Sequence, residues 1–99
     1  MATIEERLSR GDRAKEVLEN EEFVAAWSRV EQELIESWKN TPSTNANRDA
    51  RERIHLSITL LGKVKACITE TLETGKLAQA ELIYRQSLAQ RAKDWLTPN

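Results

Sequence analysis

Three kinds of side chain in this 99-residue sequence have types suited to catalysis: one cysteine, Cys67, one histidine, His55, and several close carboxylate pairs. A cysteine becomes a catalytic nucleophile when a base stands beside it and a third group orients that base. His55 and Cys67 lie in one helically patterned segment, about 18 Å apart along its axis, so they do not meet within one chain. Cys67 falls on the apolar arc of that segment and reads as a small core residue. His55 falls on the polar side and reads as a solvated or interface imidazole. The pairs Glu5/Glu6, Glu21/Glu22 and Glu31/Glu33 sit among basic neighbours in polar settings. They read as solvated helix faces rather than acid/base dyads. A single histidine and a single cysteine cannot build a His/Cys metal cluster within one chain. Glycine-rich phosphate loops, Walker patterns and EF-hand spacings are absent from the sequence. The expectation is a protein that is not an enzyme, with no catalytic, cofactor-binding or metal-binding residues.

Binding chemistry offers more. Arg48, Arg51 and Arg53 cluster at the start of a helical pattern, with Lys63 and Lys65 further along. These three arginines are candidates for a weak phosphate contact. No helix–turn–helix spacing accompanies them, and no aromatics interleave with the cations. Fifteen Lys+Arg against sixteen Asp+Glu leave a formal net charge of −1, without the basic excess of a nucleic-acid coat or a polybasic membrane binder. Nucleic acid is therefore not expected as the main partner. Trp38 and Trp95 lie near helix ends, where a large aromatic can anchor a protein partner.

The elements that position these residues are helices. Hydrophobic residues make up 39% and charged residues 31%, with only three Gly and two Pro, which excludes a turn-rich all-β fold and wholesale disorder. Thr3-Ile4-Glu5-Glu6 fits a capping box. The pattern it opens runs to Asn20, and Gly11-Asp12 can break it into two pieces, with Asp12 as a second N-cap. That reading also disposes of Arg10-Gly11-Asp12, which spells a cell-adhesion tripeptide. Phe23, Trp27, Val30, Leu34 and Trp38 recur at steps of three and four and mark one face of a second helix. Asn40 to Asn47, rich in Asn, Thr, Ser and Pro, is a loop and the expected site of mobility (about 40–47).

From about 49 to 74 the apolar residues spread over roughly 200° of helix, too wide for one neighbour, which predicts a central helix with partners on two sides. Gly75 reads as the C′ residue that closes it, and a last helix follows over about 76–96. Its main face holds Leu77, Tyr84, Leu88 and Trp95. Leu82, Ala89 and Leu96 form a second stripe at seven-residue intervals, a candidate partner interface together with Trp38 and Trp95. The predicted fold class is all-α: one helical domain over 1–99, a small bundle built on a long antiparallel hairpin (about 49–74 and 76–96) with one or two N-terminal helices packed on it.

No stretch reaches the roughly 18–20 apolar residues of a membrane span, and Met1–Ser9 lacks the apolar core of a signal peptide. One cysteine forms no intramolecular disulfide. These features predict an intracellular chain that does not engage membranes. Charge divides unevenly: residues 1–39 hold six basic and ten acidic residues, and residues 40–99 hold nine and six.

The segment Arg10-Gly11-Asp12-Arg13-Ala14-Lys15-Glu16-Val17-Leu18-Glu19-Asn20, with Phe23 and Trp38, resembles small uncharacterised α-helical proteins of tailed bacteriophages. So does Ala50-Arg51-Glu52-Arg53-Ile54, continued by Leu60-Leu61, Val64 and Glu73-Thr74-Gly75-Lys76-Leu77. Those proteins tend to be encoded among head and packaging genes, and their motifs carry no catalytic signature. The resemblance implies a phage accessory protein that binds other proteins, as a minor virion or head-assembly component. Its partners would be phage structural or host proteins, with the chain a homo-oligomer or part of a larger assembly. It would reside in the host cytoplasm during infection or in the virion. An inhibitor of a host enzyme or defence complex and a DNA-packaging accessory are the alternative readings.

Overall fold

A computed structural model describes residues 2–96, and these are all-α. The first helix, α1 (Ile4–Glu19), starts at Thr3, whose Oγ1 accepts the Glu6 N–H at 3.1 Å. Glu5 and Glu6 place negative charge at the positive end of its dipole. Asn20 is a one-residue joint in extended conformation. Its side chain caps the second helix, α2 (Glu21–Asn40), by accepting the Phe23 N–H at 2.9 Å. Pro42 ends that run, because the residue before a proline is pushed out of the α region. Thr41 accordingly sits at φ −95°, ψ 110°. A short 3₁₀ turn at Asn45–Asn47 then leads into the third helix, α3 (Arg48–Leu96).

The third helix corrects the predicted hairpin. It runs for 49 residues straight through Gly75, so the segments 49–74 and 76–96 are one helix and not two antiparallel ones. A glycine inside a helix costs only about 1 kcal/mol. Gly75 is followed by Lys76-Leu77-Ala78-Gln79-Ala80, all good helix formers, with no proline to enforce a stop. The predicted break at Gly11 is likewise absent, since α1 is continuous.

The chain folds back at 41–47 instead. Arg7 on α1 pairs with Glu81, Gly11 meets Gly75, and Arg51 bonds to the end of α2. Ascending numbers on α1 and α2 therefore meet descending numbers on α3, and the two short helices form a jointed arm lying antiparallel along it. The molecule measures 82 × 26 × 18 Å with a radius of gyration of 22.4 Å, against about 13 Å for a compact domain of this length.

The core is correspondingly thin. Gly11 and Ala14 on α1 and Gly75 and Ala78 on α3 are the buried residues among those described, and all four are small. A methyl group built on Gly11 would lie 2.7 Å from the Cα of Gly75, so the two backbones touch there. Leu8, Leu18, Ile68 and Leu72 on the α1 and α3 segments flanking this crossing, and Ile54, Ile58 and Leu61 further back along α3, are half-buried. Among the described residues no second layer covers the far side of the 49–74 segment, and Leu56, Leu60 and Val64 stay more than half exposed. Cys67, expected in the core, is exposed.

Candidate functional site

Two places on the molecule concentrate groups that can bind. The first is the fold-back at 41–47. Arg51, one turn into α3, donates from Nη1 to the carbonyl of Trp38 at 3.0 Å and also to the carbonyl of Thr41. Its guanidinium lies 4.2 Å from the centroid of the Trp38 ring. The last carbonyls of α2 lack helical partners, and a cation placed there satisfies them and opposes the negative end of the dipole. Thr41 Oγ1 donates to the Ser37 carbonyl at 2.7 Å, and Asn47 Nδ2 donates to the Pro42 carbonyl at 3.1 Å. The segment predicted as a loop is thus a connection with bonded ends.

This geometry separates the three arginines proposed for phosphate. Arg51 is engaged inside the fold-back, while Arg48 and Arg53 are exposed. Arg48 and Arg51 line an open dent together with Ser43, Thr44, Asn45 and Glu52. The same contacts give Trp38 a task inside the chain, with 38% of its surface still accessible.

The second place is the C-terminal end of α3. Arg7 Nη2 reaches Glu81 Oε2 at 3.1 Å, and Glu81 also accepts from Arg85 at 2.8 Å. Beyond this pair α1 runs out, and every residue from Ile83 to Leu96 is exposed. That overhang is about 20 Å of helix. It carries Ile83, Tyr84, Leu88, Trp95 and Leu96 as exposed large apolar groups, Trp95 at 81% of its surface. Of the predicted interface stripe, Leu82 is half-buried in phase with Gly75 and Ala78, while Ala89 and Leu96 lie past the end of α1 and are exposed. The predicted main face is bare: Leu77, Tyr84, Leu88 and Trp95 have no helix of the described residues covering them and are all exposed. Helical spacing identified both stripes, but it carries no information on which one α1 would cover.

The groups singled out for catalysis stay apart. His55 and Cys67 are both exposed on α3. Among the described residues no group of three His, Cys, Asp or Glu side chains is arranged to hold a metal ion. An open groove of about 290 Å³ lies between α1 and α3 at the glycine crossing, edged by Asp12, Lys15, Glu19 and Lys76. The Trp27 Nε1 is shut off from solvent with no acceptor among the described residues. Its ring packs against Phe23 at 5.6 Å between centroids, on the face of α2 that sequence periodicity marked. No helix among the described residues is long and apolar enough to cross a membrane.

No family model, curated protein or solved structure matches the chain.

Proposed function

We propose that this protein is a non-enzymatic bacteriophage accessory protein that works by binding other proteins, as a minor virion or head-assembly component acting in the host cytoplasm or carried in the particle. The observation that supports the protein-binding part is surface. The chain exposes 8167 Å², whereas a compact monomer of 11.3 kDa would expose about 5,700 Å². The difference, about 2,400 Å², exceeds the roughly 800 Å² that each partner gives to a standard interface. Much of the exposed apolar surface lies in one continuous run on α3, where a partner can cover it. The phage part rests on the resemblance of the Arg10–Asn20 and Ala50–Leu77 segments to small proteins of tailed phages.

The test is the protein content of purified particles. Presence at a fixed copy number per virion is the expected result. Absence from particles, with a host enzyme held in a stoichiometric complex, would replace this reading by the inhibitor one. That alternative draws on α2, whose outer face exposes Glu21, Glu22, Glu31, Glu33 and Glu36. A DNA-packaging role draws on Arg48 and Arg53 and predicts DNA affinity that falls steeply with salt.

A further inference from the structure

We propose that residues 77–95 of α3 pair, antiparallel, with the same segment of a second copy of this chain. The pairing seam is Leu77, Glu81, Tyr84, Leu88, Arg91 and Trp95, at steps of four, three, four, three and four. Steps of this kind keep six side chains on one face, as in a coiled-coil seam. Leu77, Tyr84, Leu88, Arg91 and Trp95 are exposed, away from the α1 side of α3 where Gly75, Ala78 and Leu82 lie, and Glu81 sits at the edge beside Arg7, so a second helix can reach the face without displacing the arm.

The order of steps is the same read from either end. An antiparallel second copy centred beside Gln86 therefore brings its layers to matching heights. Leu77 meets Trp95 of the second copy, Tyr84 meets Leu88 of the second copy, and Glu81 meets Arg91 of the second copy. Each of these pairs occurs twice about the two-fold axis, which is the self-complementarity an isologous dimer needs. A parallel pairing would instead set Glu81 on Glu81 and Arg91 on Arg91, which is repulsive. Charge thus selects both the orientation and the occupant. Ala80, Ser87 and Ala92 flank the seam and are small enough to let two backbones approach. Glu81 already accepts from Arg7 and Arg85, and its remaining lone pairs leave room for the third cation.

The area fits as well. Leu77 is 70% exposed and Tyr84 63%, and the chain's excess of about 2,400 Å² is more than one side of such a seam requires. This inference takes its surface from the protein-binding reading but does not depend on a phage origin. Dimer mass and virion content are separate measurements, and either can fail alone.

The experiment is light-scattering mass of the purified chain over a range of concentrations, with three kinds of variant. The wild type should show twice 11.3 kDa. Leu88→Glu should raise the dissociation constant about 100-fold or more, and Arg91→Glu about 10-fold, both with unchanged helicity. Orientation is read by mixing Ala80→Cys and Asp94→Cys chains, each also carrying Cys67→Ser, with a short bismaleimide. The antiparallel seam links 80 to 94 between copies and leaves 80 unlinked to 80, because those two lie about 18 Å apart in height. A mass of one chain at about 100 µM would overturn the proposal. So would a dimer indifferent to both charge variants, or one that links 80 to 80. If Leu88→Glu loses helicity, Arg91→Glu, which lies on the exposed overhang, decides alone.

Discussion

From Arg51 to Leu82 α3 has α1 or α2 beside it, and from Ile83 to Leu96 no other helix of the described residues covers it and every residue is exposed. The two stretches are equally helical and similarly rich in apolar residues, so neither helix propensity nor hydrophobicity distinguishes them. Size at the contact does. Where α1 crosses, both helices present small residues, Gly11 and Ala14 against Gly75 and Ala78, and the backbones approach to contact. On the overhang the apolar residues are large and project outward. Small residues let the chain pack on itself in a place too thin for bulky side chains. Large ones without an internal partner leave apolar area that association can remove from water.

The largest effect should come from filling the crossing. Gly75→Val adds a branched side chain where even a methyl carbon would sit 2.7 Å from the Gly11 Cα and 3.2 Å from the Arg7 carbonyl oxygen. Overpacking of this kind costs about 3 kcal/mol, a large share of the roughly 5–15 kcal/mol that holds a domain folded. The comparison is Gln86→Val on the overhang, which should change stability by less than about 0.5 kcal/mol. Urea unfolding followed by circular dichroism at one fixed protein concentration measures both. Equal losses would show that the covered and bare stretches do not differ as described.

The glycines also show where sequence reasoning reached its limit. The all-α class, Thr3 and the single face of Phe23, Trp27 and Leu34 were legible, because caps and periodicity are local signals. The end of the first helical pattern at Asn20 and the break at 40–47 were legible for the same reason, but the reversal of the chain was expected at Gly75 and not at that break. Gly11 and Gly75 were not, because a glycine weakens a helix identically whether it ends the helix or lets another one touch it. Only the second helix, 64 residues away in sequence, decides between those meanings. The same nonlocality governs the two stripes of 76–96: each has helical spacing, the face on which α1 lies half-buries Leu82 and leaves Leu77 bare, and past the end of α1 both stripes are exposed. Arg51 was noticed for its charge, but its actual partners are two carbonyls and an indole ring, which leave no pattern in the sequence.

An intermediate effect belongs to that arginine, at the end of the covered stretch. Arg51→Ala removes two charge-assisted hydrogen bonds and the contact with Trp38. Hydrogen bonds to charged groups contribute about 1.5–3 kcal/mol when partly shielded, and this site is part-exposed, so about 2 kcal/mol is expected. Arg51→Lys should recover only part of it, since an ammonium can donate to the two carbonyls but has no planar group to lie over the Trp38 ring at the same time. Amide hydrogen exchange should show faster opening at 36–47 in both variants, with protection at the glycine crossing retained. Loss of protection at both places together would mean that the arm docks as one unit rather than at two separate points.

The smallest effect has the opposite sign and uses the third glycine. Gly62 also lies inside α3, but it is exposed, and a methyl group built on it meets nothing within 4 Å. Gly62→Ala therefore gains helix propensity, up to about 1 kcal/mol, with no steric opposition. Gly11→Ala has the same propensity gain, yet its methyl carbon falls 2.7 Å from the Gly75 Cα, backbone that cannot swing aside as a flexible side chain can. The two helices would have to separate, loosening Ala14 and Ala78 as well. One substitution at two mid-helix glycines should thus shift the melting temperature in opposite directions. The rise for Gly62→Ala should be about 4–8 °C if the full propensity gain is realised. A comparable rise for Gly11→Ala would show that α1 and α3 do not touch at Gly11 and Gly75, and the distinction between the covered and bare stretches of α3 would lose its physical basis.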